Sequence, residues 1–300
     1  MILYYISIFF IALLSMIVSG NNLSAAVGTV VGSRIVSRWF GLLLGAGGFS
    51  LGLLIEGRFL SNSIFRIMPD VPYYILVVLF ISFILFALAT FFRVPLSLTM
   101  AIVGISIGIS LRVGFSMDLS YVYFVISAWV LAPVLSIFFS FYLNRKVSSI
   151  NVNNAWKAAR IYKILLVIIS FLTAFTLGAN TFGLLASLGH DSLFTLGIMI
   201  VSIFIGAIFL SGGVIKRVSQ DIYGMRYANA FISLLVSSAL VEAATFFSLP
   251  LSNTQTLTSS VFGSGLSYNT KAMISRPFFQ VVAMWIISPL FGMLVGFLLV

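Results

Sequence analysis

The sequence predicts an all-α polytopic membrane protein of about ten transmembrane segments, built as two inverted five-segment repeats with broken or re-entrant helices. Three observations carry that expectation. The 300 residues are 61% hydrophobic and 7% charged, with a mean hydropathy of +1.20, more apolar surface than a soluble domain can bury. Long charge-free tracts follow one another with only short polar connections. Landmarks also recur at a nearly constant offset: Gly20 with Gly178, Pro95 with Pro250, Trp129 with Trp285 and Pro133 with Pro289, all 155 to 158 residues apart. Such self-similarity marks an internal duplication.

In order, the expected segments are Met1–Ser19, Trp39–Ile55, Val71–Phe92, Val94–Leu111 and Leu119–Asn144, then Ile164–Leu177, Ser192–Ile215, Tyr227–Phe247, Leu249–Ser267 and Pro277–Val300. The organisation is an N-terminal repeat over 1–143, a cytoplasmic loop over 144–163 and a C-terminal repeat over 164–300. The first segment lacks a positive flank and a small-residue cleavage site, so it reads as a retained span rather than a signal peptide. The absence of cysteine excludes disulfides, thiolate metal sites and cysteine nucleophiles. The net charge of +10 is assigned to cytoplasmic loops and not to nucleic-acid binding, because no stacking aromatics interleave with the basic residues.

Basic residues also decide whether the Pro95 and Pro250 segments cross the bilayer or dip into it and return. If they cross, 13 of the 16 Lys and Arg lie on one side, with only Arg58, Arg66 and Arg112 opposite. If they dip, the division is 10 and 6. The positive-inside rule favours crossing, hence inverted halves with both termini outside.

The residues expected to carry function are polar groups inside apolar tracts. Pro250-Leu251-Ser252-Asn253-Thr254-Gln255-Thr256 lies in a charge-free stretch from Ala243 to Thr270, and Pro95-Leu96-Ser97-Leu98-Thr99 is its counterpart. With each proline at a first helical position, Ser97 and Thr99, or Ser252, Asn253, Thr254 and Thr256, would fill the first turn. Their hydroxyls and the free N–H groups would meet at the positive end of the helix dipole, a cradle for a tetrahedral oxyanion. Hydroxyls back-bonded to their own helix are the alternative. Asn21 and Asn22 after Gly20, and Asn180 and Thr181 after Gly178, mark polar breaks early in each half. These read as unwound helices offering backbone groups to ions, or else as kinks or tight turns.

Glu242 is the acidic residue deep within a segment, a candidate proton carrier or cation ligand, or else a residue near an interface or paired with an arginine. Glu56, beside Gly57-Arg58, reads as a boundary residue, and His190, beside Asp191 in a short outer loop, as a lone solvated residue. No group of His, Asp and Glu has metal-ligand spacing and no nucleophilic triad assembles at one depth, so neither a metal site nor an enzyme is expected. The glycines of Gly45-Ala46-Gly47-Gly48, with Gly104 and Gly108, read as close helix packing.

At these residues the chain resembles the inorganic phosphate transporter (PiT) family, which carries G-A-N-D-V-A-N early in each half and P-V-S-T-T-H later. Gly20-Asn21-Asn22 and Gly178-Ala179-Asn180 resemble the first motif, Pro250-Leu251-Ser252-Asn253-Thr254-Gln255 the second. Val27 to Arg34 resembles the family's G-T-x-x-G-S-R continuation, and Gly213 to Val218 its basic stretch. The family's aspartate positions hold Leu23 and Thr181, its second asparagines Ala26 and Leu184, and its histidines Met100 and Gln255.

The resemblance implies a plasma-membrane secondary transporter for a small inorganic oxyanion, phosphate first, working by alternating access. A sulfate permease of the same family and an uncoupled anion channel are the alternatives. The expected substrate ligands are Asn21, Asn22, Ser97, Thr99, Asn180, Thr181, Ser252, Asn253, Thr254 and Gln255. Coupling to sodium or protons is expected at Glu242, Asn22 and Asn180, with no other cofactor. The lipid bilayer is the surrounding partner, and a homodimer is the candidate assembly, since transporters of this kind often dimerise.

Overall fold

The computed structural model describes residues 2–92, 96–148, 154–211, 226–267 and 276–300. Pro95, the Gly213–Val218 stretch and Lys271 lie outside the described residues. The helices are α1 (Ile2–Gly32), α2 (Arg38–Glu56), α3 (Pro72–Phe92), α4 (Leu98–Val113), α5 (Leu119–Ser148), α6 (Ala155–Leu177), α7 (Gly183–Ser187), α8 (Leu193–Leu210), α9 (Tyr227–Phe246), α10 (Asn253–Leu266) and α11 (Arg276–Leu298). A 3₁₀ turn, Gly57–Leu60, extends α2, and a π-helical turn, Gly178–Phe182, joins α6 to α7. No strand occurs among the described residues. In a bilayer every backbone polar group needs an internal partner, and helices provide one for each. Helix starts are fixed locally: Ser37, Asn154 and Ser192 cap α2, α6 and α8 by accepting the amides of Phe40, Lys157 and Thr195.

Among the described residues, eight stretches are helical, long and apolar enough to cross a membrane. α4 and α10, with 16 and 14 residues, are too short to span alone, since ~20 residues are needed. Hydrogen bonds to α5 show how far the α10 region reaches. The Tyr121 hydroxyl, at one end of α5, donates to the Ser248 carbonyl at 2.6 Å. The Trp129 indole donates to the Pro250 carbonyl, Ser140 to that of Ser260, and Asn144 to that of Ser264. Ser248 to Ser264 therefore accompanies α5 from Tyr121 to Asn144, about 35 Å of helix at 1.5 Å per residue. That exceeds the ~30 Å hydrocarbon core. The segment consists of a short non-helical lead, Leu249 to Ser252, followed by α10.

α4 runs the other way from mid-depth. Its Ser110 hydroxyl donates to the Ile67 carbonyl, and the adjoining Arg66 carbonyl accepts the amide of Asp118, just before α5 begins. The two short helices thus leave the middle of the protein toward opposite ends of α5. Each packs on the last long helix of the other half, α4 on α11 and α10 on α5. Glycines permit this: a Cβ on Gly104 or Gly108 would strike the backbone of Pro289 or Met293, and one on Gly263 the backbone of Ile137.

Two expectations need correction. α1 is one continuous helix of 31 residues through Gly20-Asn21-Asn22, not a span ending at Ser19. At Gly178-Ala179-Asn180 the helix widens into a π turn without unwinding. The glycines there serve helix approach: a Cβ on Gly20 would strike Leu210 and the Gly206 carbonyl, and one on Gly178 the backbone of Phe49. Close packing outweighs the intrinsic cost of glycine in a helix, ~1 kcal/mol.

Candidate functional site

Ser97 and Ser252 hold matching positions at the tips of α4 and α10. Each is an N-cap in extended backbone, with φ/ψ of −90/114° and −81/112°. Each hydroxyl accepts the amide three residues on, Met100 or Gln255, at 3.4 Å. The sequence expectation put a proline at the first helical position. Instead Pro250 precedes the cap by two residues, because serine is among the strongest N-caps and takes that place. The first two helical amides, Leu98 and Thr99 on one tip and Asn253 and Thr254 on the other, have no intrahelical carbonyl to reach. They add donors to the positive dipole ends.

The two tips share one hollow. It is lined by Ser97, Leu98 and Thr99 from one half and Ser252, Asn253 and Thr254 from the other, with Asn22, Thr181, Phe86 and Leu96 closing it. No charged side chain lines it, and its volume is ≈ 20 Å³. Space for a single water takes ~10–15 Å³ on this measure. A five-atom oxyanion would have to widen the hollow to enter.

Of the residues singled out in the sequence, the structure brings Asn22, Ser97, Thr99, Thr181, Ser252, Asn253 and Thr254 to the hollow. The other three lie outside its lining. The Asn180 amide is fully engaged: its nitrogen donates to the Thr245 hydroxyl (3.0 Å) and the Leu249 carbonyl (2.9 Å), and its oxygen accepts the Leu251 amide (3.0 Å). Gln255 turns back onto α5, where its side-chain nitrogen reaches the Trp129 carbonyl at 3.5 Å. Asn21, half-buried, offers its backbone carbonyl to Ser24.

Sequence reasoning missed Phe86 and Ser237. Phe86 lies in an unbroken apolar tract that gives it no distinguishing signal. Ser237 on α9 pairs with the Thr256 hydroxyl at 2.8 Å and braces Asn253. Its signal was present, because a serine pair, Ser237-Ser238, interrupts an apolar span.

Glu242 lies on α9, outside the lining of the hollow. Its carboxyl lies beside that of Glu56 at the end of α2, so Glu56 is more than a boundary residue. One oxygen of each carboxyl is buried without a donor among the described residues. No group of three or more His, Cys, Asp or Glu could hold a metal among those residues. His190 stacks on Phe65 and faces Asp70 at 3.6 Å, while burial pushes the Asp191 carboxyl above its usual range.

A family model described as "Phosphate transporter family" matches residues 18–160 and 143–296. The chain belongs to the phosphate transporter family. A phosphate permease of Methanocaldococcus jannaschii is 28% identical over 94% of this chain and 92% of its own length. A sulfate permease of Bacillus subtilis is 25% identical over 98% of this chain and 86% of its own. The fold of this family member matches a solved sodium-dependent phosphate transporter with a TM-score of 0.86, at 17% identity and over 100% and 99% of the two chains. This phosphate transporter family protein is therefore a multi-pass membrane protein with that architecture.

Proposed function

We propose that the protein is a plasma-membrane secondary transporter of inorganic phosphate, moving the ion by alternating access. One observation carries this: two serine-capped helix tips, one from each half, meet at a common neutral hollow rich in donors. Ser97, Thr99, Ser252, Asn253 and Thr254 are the proposed oxyanion ligands, with Asn22 and Thr181 beside them. Oriented N–H and O–H groups without fixed positive charge suit a substrate that must be both bound and released. Asn180 acts in this reading as a positioning residue for the Pro250 segment. Coupling to sodium or protons is proposed at Glu242 with Glu56. The family's aspartate positions are Leu23 and Thr181 here, which supports a coupling site different from those aspartates.

Sulfate is the second reading, favoured by the sulfate permease among the relatives. Counterflow in proteoliposomes tests both: labelled phosphate should exchange against internal phosphate and arsenate, and sulfate should compete weakly. Exchange driven by sulfate and unaffected by phosphate would reverse the order, and no exchange with any oxyanion would end the transport reading.

A further inference from the structure

Below the hollow, α5 and α10 face each other with polar side chains at almost every buried step. On α5, Ser136, Ser140 and Asn144 recur at spacings of four, the same face of a helix, and each has no exposed surface. On α10, Ser260 and Ser264 continue the stripe that begins at the Ser252 cap, and both are equally buried. The stripe ends at Asn144, next to the exposed Arg145 in the last turn of α5.

Among the described residues, buried unpartnered hydroxyls are scattered elsewhere, as at Ser15, Ser50 and Ser170, but they cluster along this seam. A serine or threonine inside a helix usually donates to the carbonyl four residues back, as Ser106, Thr173 and Thr245 do here. Those of Ser136, Ser259, Ser260 and Ser264, together with the Asn144 side-chain oxygen, have no partner among the described residues. The neighbouring carbonyls are already engaged: that of Ser260 accepts from Ser140 and Ser233, and that of Ser264 from Asn144. Packing explains burial here but not the choice of polar groups, since alanine would fit a close helix contact without an orphaned hydroxyl.

In the opposite direction the tip helix itself is different. α4 leaves the hollow toward the other face with Ile102, Ile105 and Ile109 buried, and its Ser106 and Ser110 hydroxyls donate to carbonyls. On that side α11 adds the unpartnered Ser288 hydroxyl and Trp285 indole. α4 itself supplies no unpartnered hydroxyl among the described residues, whereas α10 supplies those of Ser259, Ser260 and Ser264.

We propose that the seam between α5 and α10 is the route by which the oxyanion passes between the hollow and the membrane face that bears Arg145. The proposal rests on the transport reading above and adds where the path lies. Neutral hydroxyls replace the hydration of the anion a step at a time without holding it as a fixed cation would. The basic end gathers anions from solution. In this structure the seam is shut, because Gly263 lies directly against the Ile137 carbonyl. Opening it means moving α10 away from α5.

The absence of cysteine makes the experiment direct. Single variants Ser260→Cys, Ser264→Cys and Ser136→Cys, each nearly isosteric, are reconstituted and exposed to a charged, impermeant thiosulfonate from either side. Phe139→Cys, on the lipid-exposed side of α5, is the control. Labelling of the seam cysteines from the Arg145 side should be at least tenfold faster than that of the control, and saturating phosphate should slow it severalfold. Labelling no faster than the control at all three positions would overturn the route, as would fast labelling that neither phosphate nor sulfate slows. Wild-type counterflow is measured in parallel: its absence strikes the transport reading, whereas the labelling rates alone decide the seam.

Discussion

The Leu251 amide donates to the side-chain oxygen of Asn180 at 3.0 Å, and the same side chain donates to the Leu249 carbonyl at 2.9 Å. One amide thereby holds two backbone groups of the extended segment that leads into α10. These groups have no helix of their own to satisfy them, and an unpaired buried N–H or C=O costs about 1–3 kcal/mol. Asn180→Ala should lower the stability of the detergent-solubilised protein by about 2 kcal/mol or more. Transport should fall with it, because the α10 tip loses its support. A thermal midpoint within error of wild type would show that the clamp is dispensable.

The serine caps make a second prediction that separates stability from binding. Ser252→Ala removes both an N-cap, worth about 1 kcal/mol, and a hydroxyl lining the hollow. Thr254→Ala removes a lining hydroxyl that caps nothing. Both variants should insert and both should lose phosphate uptake, but only Ser252→Ala should melt measurably earlier. Normal uptake in the two variants would remove the α10 tip from the site.

A third prediction concerns the glycines. A Cβ on Gly52 would meet the Phe175 carbonyl and the Ala179 amide, while one on Gly47, in the same helix, meets nothing within 4 Å. Gly47→Ala should therefore be neutral or stabilise by about 0.5–1 kcal/mol. Gly52→Ala should destabilise by about 3 kcal/mol, the upper range for overpacking. Thermal melting of the two variants in one detergent checks the contrast, and equal midpoints would contradict it.

The same contrast explains how far the sequence could be read. Ser97, Thr99, Ser252, Asn253 and Thr254 stood out because polar clusters in a long apolar tract are costly unless they line something. Gly20 and Gly178 were misread as breaks because a glycine needed for close approach looks locally the same as one needed for unwinding. What distinguishes them is the opposing helix, Leu210 in one case and Phe49 in the other, and that contact is far away in sequence. The Glu56–Glu242 pairing was invisible for the same reason, since it joins residues of different halves.

Two loop carboxyls give opposite pH signatures. The Arg66 guanidinium, with the Tyr121 amide, holds the Asp118 carboxyl below its usual range. This contact contributes stability above the unfolded-state value near 3.8 and loses it as pH falls through the lowered folded value. Asp191 is shifted upward by burial, against partial opposition from Ser61 and His190. The folded state then holds its proton more tightly, and the destabilising contribution is present above the raised value. Asp191 also sits at φ 47°, a left-handed conformation that asparagine tolerates well. Asp191→Asn should raise the melting temperature at pH 7 and less so at pH 4. A lower midpoint at pH 7 would show that the charge is needed.

Glu56 and Glu242 meet from α2 and α9, and their unpaired oxygens are buried within the spanning region. Two neighbouring carboxyls in a poorly hydrated site repel when both are charged, which makes the pair a candidate holder of a proton or a cation. Arg58, the next basic residue along from Glu56, lies over the Phe59 ring with its side chain at the surface. If this pair carries coupling, Glu242→Gln should leave phosphate exchange intact while abolishing uptake driven by a proton or sodium gradient. Exchange and driven uptake are separable in the same proteoliposomes, so the variant reports on coupling alone. Driven uptake at the wild-type rate in Glu242→Gln, or wild-type uptake indifferent to both gradients, would take coupling away from this pair.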